Sequence, residues 1–105
     1  MIALTASEIA RIVAGELKGS DVTVTAAPVF NSAQATPGSL FLALKGEKTD
    51  GHEYVTDAFS RGAVLALVTA ATAERCIVVP DVLNALNKLA AHVRKQLKNL
   101  QVIAL

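Results

Sequence analysis

The sequence predicts an α/β fold, a small sheet containing a βαβ unit and flanked by about three helices. Three observations carry that prediction. Two continuous apolar runs, residues 40–44 and 64–68, are separated by a stretch of helical periodicity, which is the spacing of a βαβ crossover. Hydrophobic residues make up 52% of the chain and aromatic ones only 4%, so the core is built of Ala, Val, Leu and Ile, a composition that suits helices packed on a sheet. Finally, 105 residues is the usual size of one domain, long enough to bury roughly two-thirds of the surface of the unfolded chain.

Leu4-Thr5-Ala6-Ser7-Glu8-Ile9 opens the first helix. Thr5 caps a free amide, Glu8 reaches back to it, and Leu4 and Ile9 form a hydrophobic staple. Ile9, Ile12 and Val13 continue one apolar stripe, and Gly15 is expected to end the helix in the left-handed conformation. From Glu16 to Thr25 the period becomes two, with a Gly19-Ser20-Asp21 turn between the halves, which predicts a short hairpin. Val29 to Ser32 is a further short strand, and Thr36-Pro37-Gly38 has proline and glycine where a type II turn wants them.

The first buried strand, residues 40–44, runs into a polar loop from Lys45 to His52. Asp50-Gly51-His52-Glu53 then has the spacing of a capping box for a second helix, whose apolar face is Tyr54, Val55, Ala58 and Phe59 and whose end is Gly62. Residues 64–68 form the second buried strand, expected parallel to the first. Cys76 to Val79 is another short strand, and Asp81 caps the longest helix, with Val82, Leu86, Leu89, Ala90, Val93 and Leu97 on one face. Val102-Ile103-Ala104-Leu105 has the look of a buried strand. The expectation is one domain over 1–100, with 101–105 as the start of the first strand of a following domain.

Ten basic and nine acidic residues leave a net charge of +1, too little to neutralise several phosphates, so nucleic acid is not an expected partner. No apolar run approaches the ~20 residues needed to span a bilayer, and no signal peptide follows Met1. A membrane is therefore not expected, and the chain reads as cytoplasmic. The single cysteine, Cys76, has no partner at disulfide or metal-ligand spacing and reads as a small buried hydrophobe.

No catalytic constellation is present: there is no Gly-rich phosphate loop, no His-Glu-x-x-His and no Gly-x-Ser-x-Gly. In open α/β sheets ligands sit beyond the carboxyl ends of strands, which makes the loop after residue 44 the place to look for binding. Lys45 and Lys48 can meet a diphosphate, although Asp50 and Glu53 compete with an anion at the helix start. Gly46 and Gly51 let backbone approach a ligand, or serve only as turn residues. His52 is either a ligand contact or a helix-start residue satisfied locally. His92 reads as a surface or boundary residue, and Arg94, Lys95 and Lys98 as the solvated end of a helix.

Several segments together carry a resemblance. Leu4 to Ile9, Pro37-Gly38-Ser39-Leu40-Phe41-Leu42-Ala43-Leu44-Lys45-Gly46-Glu47, Asp50-Gly51-His52-Glu53-Tyr54, Arg61-Gly62-Ala63 and Leu89-Ala90-Ala91-His92-Val93-Arg94, in this order and spacing, resemble the N-terminal domain of the Mur ligases. The Ala-Leu-Lys-Gly-Glu segment is most similar to the branch that joins D-alanyl-D-alanine to UDP-N-acetylmuramoyl-tripeptide. The branch that adds the third peptide residue, and a non-catalytic interaction module on the same scaffold, are the alternatives. The resemblance implies a domain that holds the uridine-diphosphate end of the UDP-MurNAc-peptide, partnered by a central domain that binds ATP and Mg2+ and a C-terminal domain that binds the dipeptide. On this basis the 105-residue chain alone is expected to be inactive, with 101–105 leading into the central domain. Family contacts to the nucleotide match Asn31, Ser32 and Ala33 and the loop Gly46, Glu47, Lys48 and Thr49, beside Lys45 and His52. Asn31 and Ala33 stand where the family has an acid and an arginine, so a role that needs those charges is not carried over, while Ser32 retains a hydroxyl that can bond uracil or ribose and Asn31 stays a candidate contact.

Overall fold

The computed structural model of the chain describes residues 3–44, 51–72 and 74–104, with backbone alone at 51–52 and 96–104. Strands β4 (Leu40–Leu42), β5 (Leu65–Val68) and β6 (Cys76–Val78) are parallel neighbours, and β2 (Glu16–Lys18) joins β6 antiparallel at the edge, giving the order β2-β6-β5-β4. Leu40 faces Leu65 and Ala66 faces Cys76 in register. The expected βαβ unit is therefore present, with α2 (Val55–Ser60) as its crossover.

The central strands are apolar throughout because each face has its own cover. Leu40, Leu42, Leu65, Leu67 and Ile77 point to one side, where Ile9 and Val13 of α1 (Ala6–Val13) and Val82, Ala85 and Leu89 of α3 (Val82–Ala104) pack on them. Phe41, Ala43, Ala66, Val68 and Cys76 point to the other, against Val55 and Ala58 of α2. Small residues dominate this second layer, which lets a six-residue helix sit close to the sheet. Cys76 is fully buried there as one of those small apolar groups. Each large aliphatic side chain removed from water contributes about 1.5–3 kcal/mol, so the α1/α3 layer, where the Leu and Ile residues collect, supplies most of the apolar stabilisation.

The caps follow the sequence in two helices. The Glu8 amide donates to Thr5 Oγ1 at 3.1 Å, the Ser7 amide to Asp21 Oδ1 at 3.0 Å and the Ala6 amide to the Val22 carbonyl at 2.7 Å, so three free donors of α1 are satisfied. Asp81 caps α3 by accepting from the Asn84 amide at 3.1 Å. The Thr36-Pro37-Gly38-Ser39 turn has Gly38 at φ 85 and its closing bond from the Ser39 amide to the Thr36 carbonyl at 3.0 Å, as the type II expectation requires.

Four local expectations are corrected. The predicted hairpin does not form: β2 pairs with β6, whereas β3 (Thr23–Val24) pairs antiparallel with β1 (Leu4–Thr5) in a separate two-stranded sheet. Both halves find larger apolar neighbours than they would offer each other, Leu17 packing with the α1/α3 layer and Val24 lying fully buried within it. The left-handed residue after α1 is Ala14, at φ 56, not Gly15. Gly15 is required for space, since a Cβ there would lie 2.5 Å from Ile77 Cγ2 and 2.8 Å from Val79 Cγ1. Helix α2 begins only at Val55, after a 3-10 turn over Gly51–Tyr54, and its first residue has no side-chain cap; Asp50 lies outside the described residues. Residues 101–104 are the last turn of α3 rather than a strand. No Gly or Pro interrupts the chain after Pro80, and extending an existing helix adds one hydrogen bond per residue fixed.

Candidate functional site

Val29 forms a parallel bridge with Phe41, its amide donating to the Leu40 carbonyl and its carbonyl accepting from the Leu42 amide, both at 2.8 Å. This single bridge is what remains of the strand expected over Val29 to Ser32. Because the two segments run the same way, the residues that follow Val29 and those that follow Phe41 emerge at one end of the sheet, the carboxyl end of β4. Asn31 and Ser32 are thereby brought to that end.

Locally, Asn31 Oδ1 accepts from the Ala33 amide at 3.0 Å and starts a 3-10 turn over Ser32–Gln34. Asn31 is thus a capping residue, a role its amide oxygen fills without a charge. Ser32 is one of two buried polar residues among those described, at 7% exposure. It lies in the 3-10 turn that packs against α2, the helix that carries Asp57. Arg61, one turn further along α2, donates from Nε to Asp57 Oδ2 at 3.1 Å. These two partners, Ser32 first and Arg61 second, hold the Asp57 carboxyl below the usual carboxylate range. Immediately before the cap stands Phe30, 68% exposed, an apolar ring at the surface two positions before Ser32 in the chain.

Of the residues expected to bind, Ser32 and Asn31 are therefore placed together at the carboxyl end of the sheet. Lys45, Gly46, Glu47, Lys48 and Thr49 lie outside the described residues, and His52 is described only as backbone of the 3-10 turn that precedes α2. Asp57, Arg61 and Phe30 were not found by sequence reasoning. The pair on α2 carries an i,i+4 acid–base signal, but nothing local says that it faces Ser32, which lies 25 positions earlier. Phe30 was hidden inside a run taken for a strand. His92 is half-buried on α3, the boundary position expected of it. Two surface concavities lie elsewhere and include none of these residues. One, of about 340 Å³, is lined by Lys18, Gly19, Ser20, Thr72, Glu74 and Arg75; the other, of about 270 Å³, is lined by Pro28, Leu86, Leu89, Ala90, Val93 and Arg94.

A buried hydroxyl and an exposed aromatic ring close in sequence offer hydrogen bonding and stacking. They do not form a nucleophile–base pair. Among the described residues no three His, Cys, Asp or Glu side chains are grouped to hold a metal ion, and no described helix is long and apolar enough to cross a membrane.

Residues 29–101 match the model described as the Mur ligase family, catalytic domain. The chain belongs to the Mur ligase family. Over 98 residues, 91% of its length, it is 39% identical to the UDP-N-acetylmuramoyl-tripeptide--D-alanyl-D-alanine ligase of Escherichia coli, of which it covers 22%. Among solved structures, a crystal structure of MurF from Acinetobacter baumannii superposes with a TM-score of 0.79 at 28% identity, over 90% of this chain and 22% of that one. MurF ligase from Thermotoga maritima, solved in complex with ADP, superposes with a TM-score of 0.57 at 29% identity, over 72% of this chain and 18% of that one. The chain thus spans about a fifth of the length of these Mur ligases. The family resemblance and the α/β architecture expected from the sequence are both borne out.

Proposed function

We propose that this chain is the domain of an ATP-dependent Mur ligase that holds the uridine-diphosphate end of UDP-N-acetylmuramoyl-tripeptide while D-alanyl-D-alanine is joined to it in peptidoglycan synthesis. The observation that carries this reading is the 39% identity, across nearly the whole chain, to a ligase of that name. The parallel bridge at Val29 supports the choice of site, because the chain that follows it, with Ser32, runs toward the carboxyl end of β4. The nucleotide contacts assigned are Ser32 with Asn31 and the backbone and side chains of Lys45, Gly46, Glu47, Lys48 and Thr49, flanked by His52.

ATP and Mg2+ do not fit the residues present. The sequence has no Gly-x-x-x-x-Gly-Lys-Ser/Thr loop to cradle a triphosphate, and the described residues group no carboxylates for a divalent cation. Both belong to the portion of the relatives that this chain does not span, the ADP of the Thermotoga maritima structure being consistent with that division. What the chain contributes to the reaction is orientation. Fixing one end of a long substrate converts a bimolecular encounter into a positioned one, a gain that reaches about 7–11 kcal/mol in well-oriented reactions.

The reading is tested by titrating the chain with UDP-N-acetylmuramoyl-tripeptide and with the same muramoyl-tripeptide lacking the nucleotide. Saturable binding of the first and none of the second is expected. Equal binding of both would refute the assignment of the chain to the nucleotide end. In the full-length ligase, ATP-dependent joining of D-alanyl-D-alanine to the tripeptide precursor is expected; extension of the dipeptide precursor instead would transfer the chain to the branch that adds the third residue.

A further inference from the structure

The end of the sheet opposite Ser32 holds a polar concavity of about 340 Å³, lined by Lys18, Gly19, Ser20, Thr72, Glu74 and Arg75. Lys18 pairs with Cys76, the first residue of β6, and Arg75 comes just before it, so the concavity flanks the amino end of that strand. Arg75 sets this place apart from the rest of the surface. Its Nη1 donates to the Val64 carbonyl at 3.0 Å, which fixes the plane of the guanidinium. Its Nε is the one buried side-chain nitrogen or oxygen among the described residues that has no hydrogen-bond partner. Neither of the described ion pairs includes it: Lys18 is joined to Glu16 at 2.8 Å and Arg61 to Asp57 at 3.1 Å. A buried donor without an acceptor is costly, and in a native fold such a group points to a strained, reactive or ligand-binding position.

We propose that this concavity binds a small oxyanion, a carboxylate or a phosphate monoester, with the Nε–Nη2 edge of Arg75 as its fork. A guanidinium presents two parallel N–H groups along that edge, matched to two oxygens of one anion. An oxygen placed there gives Nε the acceptor it lacks. Nε is closed off from water, so the stem of Arg75 shifts slightly as the anion enters. Gly19 leaves room for that shift: it stands over the stem, where a Cβ would lie 3.2 Å from Arg75 Cγ. Ser20 and Thr72, which line the same space, carry hydroxyls that can donate to a further oxygen, although Thr72 Oγ1 already lies 3.3 Å from the Glu74 carbonyl. The charge balance sets the affinity. Lys18 is paired with Glu16, and Glu74 has the sign of the ligand, so one guanidinium supplies most of the attraction and a dissociation constant of about 1 mM is expected. The site lies away from the carboxyl end of β4 and does not depend on how the nucleotide end is read.

The test titrates the isotope-labelled chain with sodium phosphate and, separately, with sodium acetate, the ionic strength being held constant with sodium chloride. The Arg75 Nε–Hε resonance is followed together with the Gly19 and Ser20 amides. A saturable downfield shift of Hε is expected, and the tighter of the two anions tells a phosphate monoester from a carboxylate as the source. Arg75→Lys keeps the charge but loses the fork, and should weaken binding about tenfold, read from the two amides. Glu74→Gln removes the like charge and should tighten binding about twofold, whereas Gly19→Ala should weaken it by crowding the stem. The last two variants keep the bond between Arg75 and Val64, so they decide the matter even if Arg75→Lys does not fold. Absence of a saturable Hε shift with either anion overturns the proposal. So does an equal shift produced by chloride alone, or a Glu74→Gln chain that binds no tighter than the wild type.

Discussion

Replacing Gly62 by alanine should destabilise the chain by about 2–4 kcal/mol, and the reason is separable from ordinary glycine strain by a paired control. Gly62 sits at φ 115, and an added Cβ would lie 2.7 Å from both the Cα and the nitrogen of Pro37 and 2.9 Å from the Thr36 carbonyl carbon. The Gly38 amide donates to the Gly62 carbonyl at 3.0 Å, so the close approach joins the end of α2 to the turn that launches β4. Gly19 has nearly the same conformation, φ 110, but its Cβ would meet Arg75 alone, Cγ at 3.2 Å, Cβ at 3.4 Å and Cα at 3.5 Å, none as close as the Pro37 backbone is to Gly62. Left-handed strain costs about 1–2 kcal/mol for an L residue, and loss of glycine's freedom in the unfolded chain returns about 0.4–1 kcal/mol. Both contributions are common to the two sites. What differs is the backbone clash, worth about 1–3 kcal/mol by analogy with overpacking. Gly19→Ala should therefore cost only about 0.5–1.5 kcal/mol by the same strain balance. Urea unfolding gives the free energies. In thermal melts, Gly62→Ala should fall by roughly 8–32 °C at about 4–8 °C per kcal/mol for a domain of this size. Equal losses at the two positions would refute the claim that the α2 end and the Thr36-Pro37-Gly38 turn are in backbone contact.

Leu89→Ala, at a position 2% exposed in the α1/α3 layer, should cost about 2–5 kcal/mol, whereas Leu83→Ala on the same helix, 56% exposed, should stay within about 0.5 kcal/mol; both are read from urea midpoints. Asp21 is held below the usual carboxylate range by the Ser7 amide first and the Ser7 hydroxyl second. A lowered folded-state pKa means a contribution that is complete above the unfolded value of about 3.9 and vanishes as pH falls through the folded value. The melting temperature should consequently drop more steeply below about pH 4 in the wild type than in Asp21→Asn, and parallel profiles would contradict the assigned bond. Phe30→Ala should leave the melting temperature nearly unchanged, since the ring is 68% exposed, yet weaken uridine-diphosphate affinity several-fold if the ring stacks on the base, a contact worth about 1–3 kcal/mol. Calorimetric titration of both proteins checks it.

What was legible in the sequence was whatever depends on near neighbours. Thr5 and Asp81 announce helix starts because a cap bonds an amide three residues on, and Thr36-Pro37-Gly38 announces a turn because its dihedral demands are written in the residues themselves. The parallel pair β4 and β5 followed from two apolar runs joined by a helix-length segment. The paired halves of the expected hairpin failed because alternation shows that a strand has two faces, not which strand lies beside it. Gly15 was read as a conformational residue, and its actual constraint, Ile77 and Val79 overhead, lies more than sixty positions away. Residues 101–104 read as a strand by composition, since a short apolar run carries no mark of its period. At the site, Ser32 and Asn31 were found through the resemblance. Asp57 and Arg61 were not, because the contact that gives them meaning crosses from α2 to the 3-10 turn.

The most direct test of the central claim is an amide-resolved titration of the isotope-labelled chain with UDP-N-acetylmuramoyl-tripeptide. The largest shifts are expected on Ser32 and its neighbours in the 3-10 turn and on Gly46 to Thr49. Shifts confined to α3, or to the concavity lined by Lys18, Ser20 and Arg75, with the carboxyl end of β4 silent, would contradict it.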